Sequence, residues 1–481
     1  MTVGELTSEI LGSFEYSPTQ EQVAAVRSFA EFMLLPSANS MMLLRGSAGT
    51  GKTSIASAMV KTLRRLGQRL MLLAPTGRAA KVFSTNSSFP AFTIHRKIYR
   101  QRTYTGADTQ FNISDNLHKN TLFIIDEASM ISNDTPFGEG LFGSGCLLDD
   151  LIQFVYSGQN CHLMLIGDKA QLPPVGEMES PALDTNVLSG YGLQVFESDI
   201  NEVLRQSAGS GILYNATAIR RKIEHNDTTG LPKIRFQGFA DIQIVRGDEL
   251  IEQISGSYSH VGIADTVVIT RSNKRANIYN NGIRNMILGR EEELSSGDRL
   301  MIVKNNYHWT EQNKDKNNKN DDGPGFLANG DVAVVQRVRN CQELYGFRFA
   351  DVWLQFPDYD NYELQVKVLL DSLSSESPSL TQEQQRQLFD GVQADYADVA
   401  LKADRMKKVR GDTFYNALQV KFAYAVTCHK AQGGQWAHVY LDQGYMTNDM
   451  LNEDYFHWLY TAFTRATEHL FLVNWPDSQR E

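Results

Sequence analysis

The sequence predicts an α/β protein built on two parallel sheets flanked by helices, with a β-rich insert in the second. Three observations carry this expectation. Short, unbroken apolar runs alternate with amphipathic stretches from Met41 to about Val175. A second set of such runs follows after about Ile200. Within that second set lies a block of short segments broken by Gly, Asn and Asp. A strand apolar at every position must be covered on both faces, as in a parallel sheet between helix layers.

The first set consists of MMLL at 41–44, LMLLA at 70–74, TLFIID at 121–126 and HLMLIGD at 162–168. Most are followed closely by Gly, Pro or Asp, and ligands of such sheets gather at the carboxyl ends of the strands. The second set is TVVIT at 266–270, FAYAVTC at 422–428, HVYLD at 438–442 and LFLVNW at 470–475. Between them, GDRLMIVKNN, NGDVAVVQRV, YGFRFADVWLQF and YELQVKVLL read as strands of a small β-barrel. Glu311 to Gly325 has no large apolar residue and reads as a solvated loop. Thr381 to Gln384 offers a capping box, after which one helix is expected to run through ADRM at 403–406. The expected units are residues 1–200, residues 201–300 joined with 418–481, and an inserted barrel with a helical extension at 301–417.

A chain of 481 residues is long enough for two to four domains. Apolar residues make up 42% and charged residues 21%, a globular mix that excludes a long disordered chain. Forty-six basic residues against 56 acidic give a net charge of −10, which excludes a uniformly basic coat for nucleic acid and leaves a local basic groove open. Cys146, Cys161, Cys341 and Cys428 form no CxxC pair, so neither a zinc knuckle nor a disulfide framework is expected. The first residues show no secretory leader and no run reaches the ~18 apolar residues of a membrane span. A cytoplasmic location and no membrane association are expected.

The strongest chemical signal is GSAGTGKT at Gly46–Thr53, a full G-x-x-x-x-G-K-[ST] between a strand and a helix. Glycines let the backbone curl so that several N–H groups face a phosphate, and the helix start adds favourable electrostatics. The cradle comprises Gly46, Ser47, Ala48, Gly49, Thr50, Gly51, Lys52, Thr53 and Ser54. Lys52 can reach the β and γ phosphates, and Thr53 can ligate Mg²⁺. Such a loop needs an acid at the end of another strand. Asp126 supplies one to hold the metal, and Glu127 follows to polarise the attacking water. A third strand end carries Asp168, suited to orienting the metal shell, and Gln171, suited to sensing the γ-phosphate.

Together these motifs resemble the superfamily 1 DNA helicases, in particular the RecD-like and phage Dda-like branch. SPTQEQVAAV resembles the adenine-reading motif, with Gln22 in the key place. APTGRAAKV at 74–82 and FTIHRKIY at 92–99 resemble two motifs that touch single-stranded DNA. EVLRQ at 202–206 resembles the motif with the first phosphate-binding arginine, Arg205. YAVTCHKAQG at 424–433 and WLYTAFTRATE at 458–468 resemble two motifs of the second domain, the latter carrying Arg465.

The resemblance implies two RecA-like P-loop domains that sandwich ATP with Mg²⁺, a small pin insertion in the first at about 96–119, and an SH3-like barrel in the second. It implies that Lys52, Glu127, Gln171, Arg205 and Arg465 are catalytic, with Arg465 an arginine finger. Gly433 and Gln435 become nucleotide contacts. It implies DNA contacts at Pro75, Thr76, Arg78, Thr93, His95 and Tyr99 from the first domain. From the second come Thr270, Asn273, Lys274, Thr427, His429 and Lys430. An aromatic among Tyr99, Tyr104 and Phe111 would stack on the first base pair. The sequence departs from the pattern at Gly434, Gln435 and Trp436, where relatives have Ser and then an acidic residue. The chain starts about twenty residues before the Gln22 motif, so the long amino-terminal extension of some relatives is not expected.

The implied activity is ATP-driven 5′→3′ unwinding by a monomer. Its partners would be single-stranded DNA and duplex junctions, with single-strand-binding, repair or replication proteins beside them. Two alternatives stay open: a single-strand translocase with weak unwinding, and a non-motor subunit that uses ATP as a switch.

Overall fold

The structure is a computed structural model that describes residues 1–14, 16–34, 39–101, 111–133, 143–202, 209–312 and 326–481. Arg102 and Tyr104 of the expected pin, Arg205, and most of the 311–325 loop lie outside the described residues, as does the side chain of Phe111.

The strands in chain order are β1 (Ser40–Gly46), β2 (Arg69–Ala74), β3 (Ala91–Thr93), β4 (Tyr99–Gln101), β5 (Phe111–Ile113), β6 (Thr121–Ile125), β7 (His162–Gly167) and β8 (Gln194–Ile200). They continue with β9 (Ile242–Val245), β10 (Thr266–Thr270), β11 (Arg299–Ile302), β12 (Val332–Leu344), β13 (Phe347–Phe356) and β14 (Tyr362–Leu369). The last four are β15 (Leu418–Phe422), β16 (Ala425–Thr427), β17 (Trp436–Asp442) and β18 (Ala466–Val473).

The first sheet has the order β3-β2-β6-β7-β1-β8 with every pairing parallel. Its four central strands are the four apolar runs read from the sequence. β1 is buried along its whole length, and the one charge in it, Arg45, is neutralised on β8 by Asp199 at 2.6 Å and Glu197 at 2.8 Å. Two apolar clusters, one per face, hold this sheet between its helices. β8 was missed because QVFESDI alternates polar and apolar residues, as an edge strand covered on one face does.

The second sheet has the order β16-β10-β17-β18-β9, again parallel. Between β10 and β16 the chain leaves to form a closed barrel, β11-β12-β13-β14-β15. The run FAYAVTC, expected as one strand, is two: β15 closes the barrel and β16 returns to the sheet. The barrel therefore extends past its expected end at residue 417. One apolar cluster joins the barrel interior (Leu300, Val352, Val420) to one face of the second sheet (Val268, Tyr440). The barrel and that sheet thus share one close-packed core.

The capping box at Thr381 is formed, with both reciprocal hydrogen bonds present. The helix it starts ends at Asp395, and a second helix spans Lys402–Gly411, so the single long helix expected here is interrupted. The 396–401 interval, YADVAL, begins with the C-cap Tyr396, whose hydroxyl donates to Asp412 at 2.9 Å. Where the pin was expected, β4 and β5 form an antiparallel two-stranded ribbon, Tyr99 opposite Ile113.

Candidate active site

β6, β7 and β1 are neighbours, so the ends of three strands converge on one spot. The P-loop leaves β1 and enters the helix Lys52–Arg65 through Gly49 (φ 76°) and Gly51 (φ 84°). Both lie in the left-handed region, where a side chain is disfavoured. Lys52 folds back over the loop: its Nζ donates to the carbonyls of Gly46 at 2.6 Å and Ser47 at 2.9 Å and lies 3.8 Å from Asp168. Thr53 opens onto the same cavity, and Ser54 faces solvent. Gln22 is buried beside the loop, donating to the Thr50 carbonyl at 2.8 Å and accepting from the Thr19 amide at 3.0 Å.

Asp126 follows β6. Burial, with the adjacent Glu127 charge, pushes its carboxyl up to about 7, against a hydrogen bond from the Glu127 amide at 2.9 Å. Glu127 itself has φ 54°, a left-handed conformation for a non-glycine residue that costs on the order of 1–3 kcal/mol. That conformation turns its carboxylate towards the second domain, where Arg465 Nη1 is 3.8 Å from Glu127 Oε1. Arg465 is 2% exposed and pinned by the carbonyls of Thr461 (3.0 Å) and Gly434 (3.1 Å). Gln171 is buried, and among the described residues its Oε1 has no hydrogen-bond partner. A cavity of about 400 Å³ is lined from the first domain by Lys52, Thr53 and Glu127 and from the second by Gly433, Gln435 and Arg465.

Sequence reading missed a second set of contacts in this cleft. Tyr460 is fully buried, and its Oη accepts from the Ala48 amide of the P-loop at 2.8 Å while donating to Asp168 at 2.7 Å. Burial and the Asp168 charge push this hydroxyl well above the usual phenol range, so it stays a donor. Thr461 accepts from the Leu172 amide at 2.8 Å, and Gln432 donates to the Leu172 carbonyl at 2.7 Å. Arg220, from the helix Gly211–Glu224, bonds Ser47. Tyr460 and Thr461 stand in the helix Glu453–Phe463, one to two turns before Arg465, and that spacing was the available signal. Arg220 sits in an ordinary amphipathic helix and offered none.

The residues assigned to DNA follow a different course. They stand at or just beyond the carboxyl ends of β2, β3, β10 and β16, the strands at one edge of each sheet. Pro75, Thr76, Asn273 and Thr427 are half-buried, and Lys274 and His429 are exposed. Thr76 also caps the helix Gly77–Ser87. Thr93 is buried and caps the helix Ile94–Ile98. Thr270 is fully buried and donates to the Ser272 carbonyl at 3.0 Å. His95 packs against Tyr99 and Phe326, and burial pulls its imidazole down to about 4, so it is neutral near pH 7. Lys430 contacts Asn329, and burial brings its ammonium down to about 8.

Besides the buried Thr93 and Thr270, which are thereby removed from the open surface, two more of these expectations are corrected. Tyr99 is a core residue, 8% exposed, whose hydroxyl donates to Asp150 at 2.6 Å, so it is no exposed stacking platform. Arg78 points into the seam between the domains, onto Trp436 and the Gln435 carbonyl. In both cases tertiary packing covers a side chain that the local pattern leaves open.

Comparison with known proteins adds to this geometry. An AAA domain model matches residues 17–222, and a UvrD-like helicase C-terminal domain model matches residues 422–473. An uncharacterized protein of Acanthamoeba polyphaga mimivirus is 22% identical over 535 residues, covering 94% of this chain and 98% of its own length. The ATP-dependent RecD2 DNA helicase of Deinococcus radiodurans is 29% identical over 136 residues, 28% of this chain and 16% of that protein. The crystal structure of Pif1 helicase from Bacteroides in complex with ADP-AlF3 and single-stranded DNA superposes with a TM-score of 0.48 at 14% identity, covering 96% of this chain and 93% of that one. No helix among the described residues is long and apolar enough to cross a membrane. The P-loop thus lies in the segment similar to an AAA domain, and the cleft arginine in the segment similar to a UvrD-like helicase C-terminal domain.

Proposed function

We propose that this protein is an ATP-dependent DNA helicase, a 5′→3′ motor on single-stranded DNA that hydrolyses Mg·ATP between its two sheet domains. The observation that carries the reading is the approach of Arg465 to 3.8 Å from Glu127 across a cavity walled by both domains. The residues present fit Mg·ATP. The loop bends through Gly49 and Gly51 at the cavity wall, and Gln171, whose Oε1 has no hydrogen-bond partner among the described residues, lines the same space. Thr53 and Asp126 would hold the ion, which would supply charge neutralisation between the β and γ phosphates.

In this reading Lys52 releases the loop carbonyls and turns to the phosphates. Glu127 orients the attacking water, and Gln171 reports the γ-phosphate. Arg465, a fixed and fork-shaped charge, stabilises the transferring phosphoryl group, a contribution worth ~10³–10⁵ in rate. Arg205 is proposed as a second phosphate contact and Gln22 as the adenine reader, with Ser54, Gly433 and Gln435 as further nucleotide contacts. Because the site is complete only when two domains meet, turnover is coupled to their relative motion. Pro75, Thr76, Asn273, Lys274, Thr427, His429 and Lys430 are the proposed DNA grips, spread over both moving parts. The β4–β5 ribbon is the proposed base of the pin, which favours unwinding over bare translocation. The proposed units are residues 1–200 and 201–300 with 418–481, adjusted so that β11 (Arg299–Ile302) and β15 (Leu418–Phe422) go to the barrel insertion between them.

The test is unwinding of a short duplex with a single-stranded tail on the 5′ or the 3′ side, with Mg·ATP. Opening of the 5′-tailed substrate alone is expected. Opening of the 3′-tailed one alone would keep the motor and overturn the polarity. If neither opens while DNA still stimulates hydrolysis, the translocase reading replaces unwinding. No stimulation by DNA would favour the non-motor subunit.

A further inference from the structure

The structure assigns Arg78 and Trp436 a joint role as positioning residues that clasp the loop holding Arg465. This inference rests on the reading of Arg465 as the finger. Arg78 stands at the start of the helix Gly77–Ser87 of the first domain, and Trp436 opens β17 of the second. The Arg78 guanidinium carbon lies 4.3 Å from the Trp436 ring centroid, and its Nη2 donates to the Gln435 carbonyl at 2.8 Å. The adjoining carbonyl, Gly434 O, accepts from Arg465 Nη1 at 3.1 Å, and the Trp436 amide donates to Arg465 O at 3.0 Å. The segment Gly433–Trp436 is therefore held from one side by Arg78 and from the other by Arg465.

The two glycines make this approach feasible. A Cβ on Gly434 would collide with the Trp436 ring and lie 3.1 Å from Arg78 Nε. A Cβ on Gly433, which has φ 71°, would lie 3.0 Å from Ala79 Cβ and 3.1 Å from Thr76 Oγ1. The Trp436 ring lies against the guanidinium and the Gln435 carbonyl accepts from its Nη2, so two of its contacts are made across the seam. The same segment, Pro75–Arg78, follows β2 at the proposed DNA edge. A shift of that segment on DNA would thus be transmitted to Gly434 O and to the arginine it orients.

A cation–π pair of this kind is worth about 2- to 30-fold in an equilibrium, depending on desolvation. The experiment uses the full chain and measures DNA-stimulated kcat, ATP KM, and the salt dependence of single-strand affinity. The variants are Arg78→Ala, Arg78→Lys, Trp436→Phe, Trp436→Ala, the double Arg78→Ala/Trp436→Ala, and Arg465→Ala as reference. Thermal melting checks that each is folded, and Trp436→Phe and Arg78→Lys carry the test if Trp436→Ala unfolds.

The expected result is a kcat loss of about 2- to 30-fold in Arg78→Ala and Trp436→Ala, with the double no worse than either single and partial rescue by Trp436→Phe. Arg78→Lys should recover less than Trp436→Phe, because an ammonium keeps the charge and loses the planar stack. ATP KM and the salt slope of DNA binding should stay unchanged. A salt slope shallower by about 0.7 in Arg78→Ala would make Arg78 a phosphate contact and overturn the proposal. So would additive kcat losses in the double variant. Unchanged kcat in the Arg78 and Trp436 variants beside a large loss in Arg465→Ala would remove the clasp and leave the motor. Unchanged kcat in Arg465→Ala would remove the finger reading itself.

Discussion

The nucleotide cleft and the proposed DNA edge are built from carboxyl ends of the same two sheets, yet they differ in how closely their residues cluster along the chain. In the cleft, Gly46 to Ser54 is one continuous segment, and Asp126 and Glu127 are adjacent. In the proposed function, backbone groups of one short segment carry much of the phosphate contact, so motif and geometry coincide. At the DNA edge, twelve side chains from four strand ends must each reach an open surface. Several do not: Tyr99 and Thr270 are packed away, Thr93 is a helix cap, and Arg78 faces the other domain. The contrast teaches that a backbone-made site survives burial by its neighbours, whereas a side-chain-made surface is redefined by whatever packs beside it.

Substitutions can sharpen or break this contrast. The largest effect is expected from Lys52→Ala, which should reduce ATP turnover by at least ~10³-fold in a steady-state assay; near-normal turnover would remove the P-loop from the mechanism. Arg465→Ala should follow, losing on the order of 10³ in kcat while fluorescent-nucleotide binding stays within a few-fold. Tyr460→Phe leaves the Ala48 amide and the Asp168 carboxylate without their shared hydroxyl. Denaturant melts should show a loss of about 1–3 kcal/mol, with turnover reduced about tenfold as the P-loop loses its strut. Tyr99→Phe breaks the buried bond to Asp150 and should cost a similar ~1–3 kcal/mol with single-strand affinity unchanged. A selective loss of DNA binding without destabilisation would return Tyr99 to the DNA surface. The smallest effect belongs to Lys274→Ala. Its ion pair with Glu376 is exposed, so melting should hold within about 0.5 kcal/mol while the salt slope of single-strand binding becomes shallower by about 0.7.

Much of the fold was legible. The four central strands of the first sheet were readable because a strand buried on both faces is apolar throughout. The edge strand β8 and the short strands β3 and β9 were not, since half-covered or three- to four-residue strands leave little periodic signal. The split of FAYAVTC into β15 and β16 was hidden for the same reason: a barrel interior and a sheet face ask for the same apolar residues. The interruption after Asp395 escaped notice because YADVAL contains no Gly or Pro.

What the sequence alone determined is the glycine-bent loop after β1, the acidic pair after β6, and the parallel sheets that hold them. Each depends on neighbours in the chain, on glycine's access to positive φ, and on unbroken apolar runs. What only tertiary structure decided is which side chains cross the seam. Tyr460 on Ala48 and Asp168, Arg220 on Ser47, and Arg78 on Trp436 join residues between 173 and 412 positions apart. Contacts at that separation are set by how two finished domains dock, and no local pattern encodes the face a partner will cover.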